Sequence, residues 1–124
     1  MEKKKILIVD DESPIADMIA DFCENFGFET KVLNSGENAV KTVKSFKPDL
    51  ITMDLVMPET SGLEVIEMLK EDPECKGIPI IVISSFSGAE EASEILKLTR
   101  AVITKPVTMK VLGENIEIAL AANG

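Results

Sequence analysis

Five short runs of apolar and β-branched residues recur along the chain, separated by stretches with the periodicity of helices. The runs are Lys5–Val9, Glu29–Leu33, Asp49–Met53, Ile80–Ile83 and Ala101–Thr104. The first and the fourth contain almost no polar alternation, which is typical of strands buried on both faces. Strands that alternate with helices over short connections favour a parallel sheet with right-handed crossovers. The sequence therefore predicts an α/β fold, a doubly wound sheet of five parallel strands with helices on both faces.

Helix signals occupy the intervals between these runs. Ser13 is interpreted as an N-cap, with Pro14 at the first helical position and Gly27 as the end of the helix. The other helices are predicted after Ser35-Gly36 to near Phe46, then over about Ser61–Glu71, Ala89–Leu98 and Thr108–Ala121. The inward stripe of the first helix is expected to hold Ile15, Ile19, Phe22 and Phe26, and Met18 and Met68 are also interpreted as core residues.

The length and charge of the chain limit the classes of protein it can belong to. Its 124 residues suit one domain, predicted over residues 1–124. A formal net charge of −9 disfavours binding to nucleic acids and to anionic membranes. The chain has no histidine, which excludes histidine-based catalytic triads and zinc sites. Carboxylates, hydroxyls and lysines must therefore carry any chemistry.

Nothing in the sequence indicates secretion or membrane insertion. The N-terminal apolar run is too short for a signal peptide, and no apolar stretch approaches the ~20 residues that span a bilayer. Cys23 fits a helical apolar pattern and is predicted to be a core residue, whereas Cys75 lies in a loop pattern, and a disulfide is not expected. We therefore expect a soluble cytoplasmic protein.

Polar residues that could bind a ligand or take part in catalysis follow the ends of four predicted strands. They are Asp10, Asp11 and Glu12 after the first strand, Asp54 after the third, Ser84 and Ser85 after the fourth, and Lys105 after the fifth. A doubly wound sheet brings these loops to one carboxyl edge, where such folds bind ligands. Clustered carboxylates repel one another and attract a hard cation such as Mg2+. The sequence therefore predicts a cation site at this edge.

Taken together, these residues resemble the signature of the receiver domain of bacterial response regulators, of the chemotaxis-regulator type. The resemblance covers the whole chain and rests on Asp10-Asp11, Asp54 with Met57-Pro58 and Gly62, Ser84, and Lys105-Pro106. It implies a flavodoxin-like strand order 2-1-3-4-5. It implies that Asp54 accepts a phosphoryl group, which Ser84 and Lys105 contact. It also implies that Mg2+ is held by Asp10, Asp11, Asp54 and the backbone carbonyl of Val56.

The resemblance further implies a role in two-component phosphorelay signalling. The phosphoryl donor would be a sensor histidine kinase or a phosphotransfer protein, and the readout would be binding to a downstream output protein that the sequence does not identify. The protein would be a monomer or weak dimer and would not bind nucleic acid itself. It would catalyse only its own phosphorylation and dephosphorylation.

Some positions depart from the commoner pattern of this family. Val102 stands where many members have an aromatic ring, so the usual ring movement has no counterpart. Val56 and Phe86 are apolar where some members carry side chains that handle the attacking water, which predicts a long-lived phosphoaspartate. The segment before the fifth strand, which includes Thr99 and Arg100, lacks the common glycine.

Two other functions are compatible with the sequence. A Mg2+-dependent phosphatase or phosphotransferase with an aspartyl nucleophile would need a substrate pocket or cap, for which the chain has little room. A docking protein that is never phosphorylated would have no need for the acids, Ser84 and Lys105 together. Each residue alone also has a simpler interpretation, as a helix cap, a turn residue or an exposed lysine.

Overall fold

Five strands form one parallel sheet. The computed structural model describes residues 3–57, 60–85 and 95–123, with the side chains of 122 and 123 excepted. The strands are β1 (Lys5–Val9), β2 (Glu29–Leu33), β3 (Leu50–Met53), β4 (Ile80–Ser84) and β5 (Ala101–Thr104). They pair in parallel in the order β2-β1-β3-β4-β5. The predicted α/β fold and strand order are confirmed.

Helices lie between consecutive strands, and one further helix follows β5. They are α1 (Ser13–Asn25), α2 (Ala39–Phe46), α3 (Gly62–Glu71), α4, described over residues 95–98, and α5 (Met109–Asn123). The helix predicted over Ala89–Leu98 lies partly outside the described residues. In the described part of the chain, no helix has the length and apolar character needed to cross a membrane.

The sheet separates two apolar layers because side chains alternate between its faces. Leu7 and Val9 of β1 pack with α2 and α3, whereas Ile6 and Ile8 pack with α1 and α5. Cys23 belongs to the α1 layer and Cys75 to the opposite layer, and both are buried free thiols. Cys23 is thus a core residue, as predicted. The layers hold the sheet rigid, so that the loops at its carboxyl edge extend from a fixed base.

Three predicted core side chains are instead exposed, which corrects the predicted helix stripes. Phe26 is 69% exposed, and Met18 and Met68 are 42% and 46% exposed. Phe26 is the C-cap of α1, with φ −94° and ψ 9°, so it has left the helical stripe before Gly27 turns the chain at φ 90°. Its ring lies 4.8 Å from that of Phe22, centroid to centroid.

The start of α1 also differs from the prediction. Glu12, not Ser13, is the N-cap residue, and Ser13-Pro14 forms the first turn. The backbone carbonyl of Glu12 accepts hydrogen bonds from the amides of Ile15 and Ala16. The helix therefore begins directly at the acidic run, which leaves little free chain between β1 and α1.

Candidate functional site

Asp10 sits at the end of β1 in a turn that is fixed by hydrogen bonds. Its amide donates to the carbonyl of Leu33, 3.0 Å away, and its own carbonyl accepts from Nδ2 of Asn34 at 3.0 Å. The Oδ1 atom of Asp10 accepts from the amide of Glu12 at 2.9 Å. The carboxylate is buried, with only 2% of the residue exposed. Its position is therefore set by the backbone of the β1–α1 turn.

Asp54 follows β3 and is buried beside Asp10. The residue is 3% exposed, and its amide donates to the carbonyl of Val9, 2.9 Å away. Its Oδ1 atom accepts from the amide of Val56 at 3.2 Å. One oxygen of the carboxylate is thus held by the backbone two residues later, which fixes the rotation of the group.

Gly62 allows α3 to begin directly against the Asp54 backbone. Its amide donates to the carbonyl of Leu55 at 2.9 Å. A Cβ atom at this position would lie 2.1 Å from the backbone oxygen of Asp54, far inside van der Waals contact. Only a glycine permits this close approach, so the residue that the sequence pattern singled out serves the geometry of the loop after β3.

Lys105 follows β5 and extends its ammonium group among the acids. Its amide donates to the carbonyl of Ser84 at 2.9 Å, and the Lys105-Pro106 peptide bond is cis. The Nζ atom lies 2.7 Å from Oε1 of Glu12, 3.1 Å from Oδ2 of Asp10 and 3.4 Å from Oδ2 of Asp54. The lysine side chain is only 10% exposed. One cation therefore bridges acids from the first and third strand ends.

The acids and the lysine shift one another's protonation. Burial raises the pKa of Asp10, and the nearby Asp54 adds to this effect, although the Glu12 amide and Lys105 oppose it. Burial and contact with Asp54 raise the pKa of Asp11. Burial disfavours the charge on Lys105, but its hydrogen bonds to Glu12 and Asp10 outweigh burial and raise its pKa. The lysine therefore stays charged at neutral pH.

The carboxylates are arranged so that they could hold a metal ion. One oxygen from each of Asp10, Asp11, Glu12 and Asp54 lies within 4.8 Å of the others. Hard oxygen donors at this density suit Mg2+, which takes one or two carboxylates and completes its octahedron with waters or phosphate oxygens. The donor set is thus compatible with the predicted cation.

The fold brings most of the predicted site residues to one place. Asp10, Asp11 and Asp54 lie together, and Lys105 contacts Asp10 and Asp54. Ser84 is buried at the end of β4, and its carbonyl accepts a hydrogen bond from the Lys105 amide. Ser85 is exposed, and Val102 is half-buried against the α2 and α3 layer. Phe86 and Pro58 lie outside the described residues. The metal-binding role of the Val56 carbonyl stays a prediction.

Two residues near the site are not predicted from the sequence to have a role there. Glu12 was noted only as the third acid of its run, yet it makes the shortest contact to Lys105. Asn34 follows β2 and supports the Asp10 backbone. Asn34 lies at the carboxyl end of a strand that neighbours β1, and this place in the sequence could have indicated a role at the site. It does so only when the strand order is known.

Comparison with known proteins identifies the family. Residues 6–117 match the family described as the response regulator receiver domain. The chain is 35% identical to the polar-differentiation response regulator DivK of Brucella ovis over 115 residues, covering 92% of this chain and 94% of that protein.

Solved structures agree. A CheY-like receiver domain protein from Methanospirillum hungatei superimposes with a TM-score of 0.90 at 25% identity, over 98% of this chain and 96% of that one. A response regulator from Desulfuromonas acetoxidans gives a TM-score of 0.86 at 27% identity, over 96% and 98% of the two chains. With its fold, its acidic edge and these relatives, the chain belongs to the response regulator receiver domain family of two-component signalling.

Proposed function

We propose that Asp54 accepts a phosphoryl group from a histidine kinase or a phosphotransfer protein in a Mg2+-dependent reaction. The observation that carries this proposal is the convergence of two further acids and a charged lysine on one buried carboxylate. A buried serine ends the neighbouring strand β4. Membership of the receiver family implies such phosphoryl donors and an output partner. We propose further that residues 1–124 form one receiver domain, of which 6–117 match the family.

In this reaction an oxygen of Asp54 attacks phosphorus. The new bond joins the carboxylate oxygen to the phosphorus atom, while the bond from phosphorus to the donor's imidazole nitrogen breaks and its electron pair stays on nitrogen. The Val56 amide fixes the carboxylate, so little rotational freedom is lost on the way to the transition state. Catalysis of this kind is mainly positioning and charge neutralisation.

Four groups would hold the cation: Asp10, Asp11, Asp54 and the carbonyl of Val56. When bound, Mg2+ would neutralise the charge of the phosphoryl oxygens. The Lys105 ammonium, already 3.4 Å from Oδ2 of Asp54, would pair with the same oxygens, and the Ser84 hydroxyl would donate to them. The protein's own contribution is thus a set of fixed charges around the nucleophile.

Signalling then requires a conformational readout. In a receiver domain of two-component signalling, phosphorylation would shift the population towards a state that binds a partner differently. Val102 has no ring that could turn inward, and we propose that the readout is instead a change, on phosphorylation, in the segment 84–98, of which residues 86–94 lie outside the described part of the chain. Comparison of apo and beryllofluoride-bound forms tests this, and an unmoved segment 84–98 would contradict it.

Mass spectrometry after incubation with acetyl phosphate or phosphoramidate tests the phosphoacceptor. With Mg2+ we expect one phosphoryl group per chain. We expect no labelling of the Asp54→Ala variant, and no labelling of the unmodified protein when Mg2+ is chelated. Asp21→Asn, which removes an exposed acid from α1, is the matched control and should label normally. Labelling that survives Asp54→Ala, or turnover of a broad panel of phosphatase substrates, would refute the proposal.

A further inference from the structure

The shortest contact of Lys105 is to Glu12, an acid to which neither the metal nor the phosphoryl role is assigned. The Nζ–Oε1 distance is 2.7 Å, against 3.1 Å to Asp10 and 3.4 Å to Asp54. An ammonium group has three donors, and these three carboxylates occupy them. Lys105 therefore has no donor left for a phosphoryl group unless it releases one of the acids.

The backbone of Glu12 directs its side chain to the lysine. Its amide is bonded to Oδ1 of Asp10, and its carbonyl accepts from the amides of Ile15 and Ala16. Although Glu12 is the N-cap of α1, its side chain makes no capping hydrogen bond. With the main chain fixed on both sides, the carboxylate reaches across to the end of β5, 93 residues away in sequence.

Exposure decides which acid the lysine releases. The Glu12 side chain is 53% exposed, whereas those of Asp10 and Asp54 are each 3% exposed. A carboxylate in contact with water is solvated again when it loses its partner, whereas a buried one is left uncompensated. Asp54 itself receives the phosphoryl group, so its 3.4 Å contact to Lys105 passes to the phosphoryl oxygens. Of the two acids that keep their charge, Glu12 is the less unfavourable one for the lysine to release.

We propose that Glu12 is a positioning residue that holds the Lys105 ammonium at the exposed side of the site until a phosphoryl group on Asp54 replaces it. The proposal rests on the function proposed above. Glu12 then has opposite effects on the binding of a phosphoryl group and on the binding of a cation. Glu12 competes with the phosphoryl group for Lys105, and it draws the same ammonium away from Asp10 and Asp54, whose oxygens are then more available to a cation.

Replacement of the charge separates these two effects. Glu12→Gln keeps the size and the hydrogen-bonding capacity of the side chain but removes its charge. We expect beryllofluoride, a phosphoryl analogue, to bind Glu12→Gln roughly two- to fivefold more tightly than the unmodified protein at saturating Mg2+. This is the effect expected when a competing, partly exposed ion pair is removed. We expect Mg2+ alone to bind more weakly by a similar factor.

Isothermal titration calorimetry measures both affinities, and it suits a chain that has neither tryptophan nor tyrosine as a fluorescent reporter. Asp17→Asn removes one exposed charge from α1 without a contact to Lys105 and should leave both affinities within about 1.5-fold. Because a general charge effect would also follow from Glu12→Gln, the same substitution is repeated in a Lys105→Gln background. There it should change beryllofluoride affinity by less than about 1.5-fold, since the lysine through which it acts is absent.

The outcomes separate this proposal from the function on which it rests. If the unmodified protein fails to bind beryllofluoride with Mg2+, the proposed function fails. If it binds but Glu12→Gln changes neither affinity, or gives the same gain in the Lys105→Gln background, the role of Glu12 is refuted. Circular dichroism verifies that each variant is folded, and Lys105→Met replaces Lys105→Gln if the latter is not.

Discussion

At the scale of single residues, Val56 would affect how water meets Asp54 after the proposed phosphorylation. Its amide holds Asp54, but its side chain is apolar and 60% exposed. An isopropyl group has no donor or acceptor with which to orient a water molecule towards phosphorus. Hydrolysis of the proposed phosphoaspartate would then depend on water that Val56 does not position.

We therefore predict a long-lived phosphoaspartate that Val56→Asn shortens severalfold, because an amide can hold the attacking water. Decay of the phosphoryl adduct, followed by intact-protein mass spectrometry, measures the lifetime. Val56→Leu is the apolar control and should leave the decay unchanged. A half-life of seconds in the unmodified protein would count against the prediction.

At the scale of elements, the junction of β3 and α3 depends on one close backbone approach. Gly62→Ala would place a methyl group 2.1 Å from the Asp54 carbonyl oxygen, and a backbone atom cannot move aside as a flexible side chain can. We predict a loss of about 3 kcal/mol in the free energy of unfolding, together with slower labelling of Asp54, which urea denaturation and acetyl phosphate labelling measure.

Gly77→Ala is the matched control for this junction. Gly77 is exposed, and a Cβ atom there would meet nothing within 4 Å. We expect its free energy of unfolding to change by no more than about 0.5 kcal/mol. Equal destabilisation by both substitutions would mean that loss of glycine, and not contact with Asp54, governs the effect.

The elements themselves could be predicted from the sequence because parallel strands and amphipathic helices have strong patterns. The buried run Ile80–Ser84 is an example, extended in the structure by one residue beyond its predicted end. Helix ends were harder, since caps depend on tertiary contacts. Asn38 caps α2 without a side-chain bond, and Lys47 closes that helix at φ 54°, a conformation that no glycine or asparagine signalled.

The candidate site was predictable only in part. Acids at strand ends follow from the order of elements, so Asp10 and Asp54 could be paired from sequence alone. The link between Glu12 and Lys105 could not, because it depends on the direction of two side chains that come from distant parts of the chain. Phe26 was assigned to the core because helical periodicity was continued past the last turn, where the chain had already left the helix.

At the scale of the whole molecule, the acidic edge opposes folding in the absence of a cation. The pKa of Asp10 and of Asp11 is raised from 3.8, mainly by burial. The contribution of such a carboxyl group to stability is fully present below its pKa in the unfolded chain. That contribution is lost as the pH rises through its higher pKa in the folded protein. At neutral pH the burial of these two carboxylates therefore disfavours the fold, and a bound cation would offset that effect.

We predict that Mg2+ raises the thermal unfolding midpoint, and that the rise grows with pH above 3.8 until both acids are ionised. At a Mg2+ concentration ten times the dissociation constant, the stabilisation should be about 1.4 kcal/mol, or a few degrees. Thermal melts with and without Mg2+ across the acid-to-neutral range measure it.

Asp11→Asn provides the check on this pH dependence. The variant should melt higher than the unmodified protein without metal and should respond less to Mg2+, because the amide neither repels Asp54 nor binds the cation strongly. A Mg2+ effect that is independent of pH would show that the two carboxyl groups do not govern it.

The place of Lys105 after the edge strand has a consequence for synthesis on the ribosome. The acids come from β1 and β3, which pair with each other, whereas their counter-charge arrives only with β5. A nascent or truncated chain that ends after β4 would carry the acids of both strand ends but would lack Lys105, the ammonium that contacts them in the complete fold. We expect such a product to be a poor phosphoacceptor and an easy target for proteolysis, so that docking of the last strand separates finished molecules from unfinished ones.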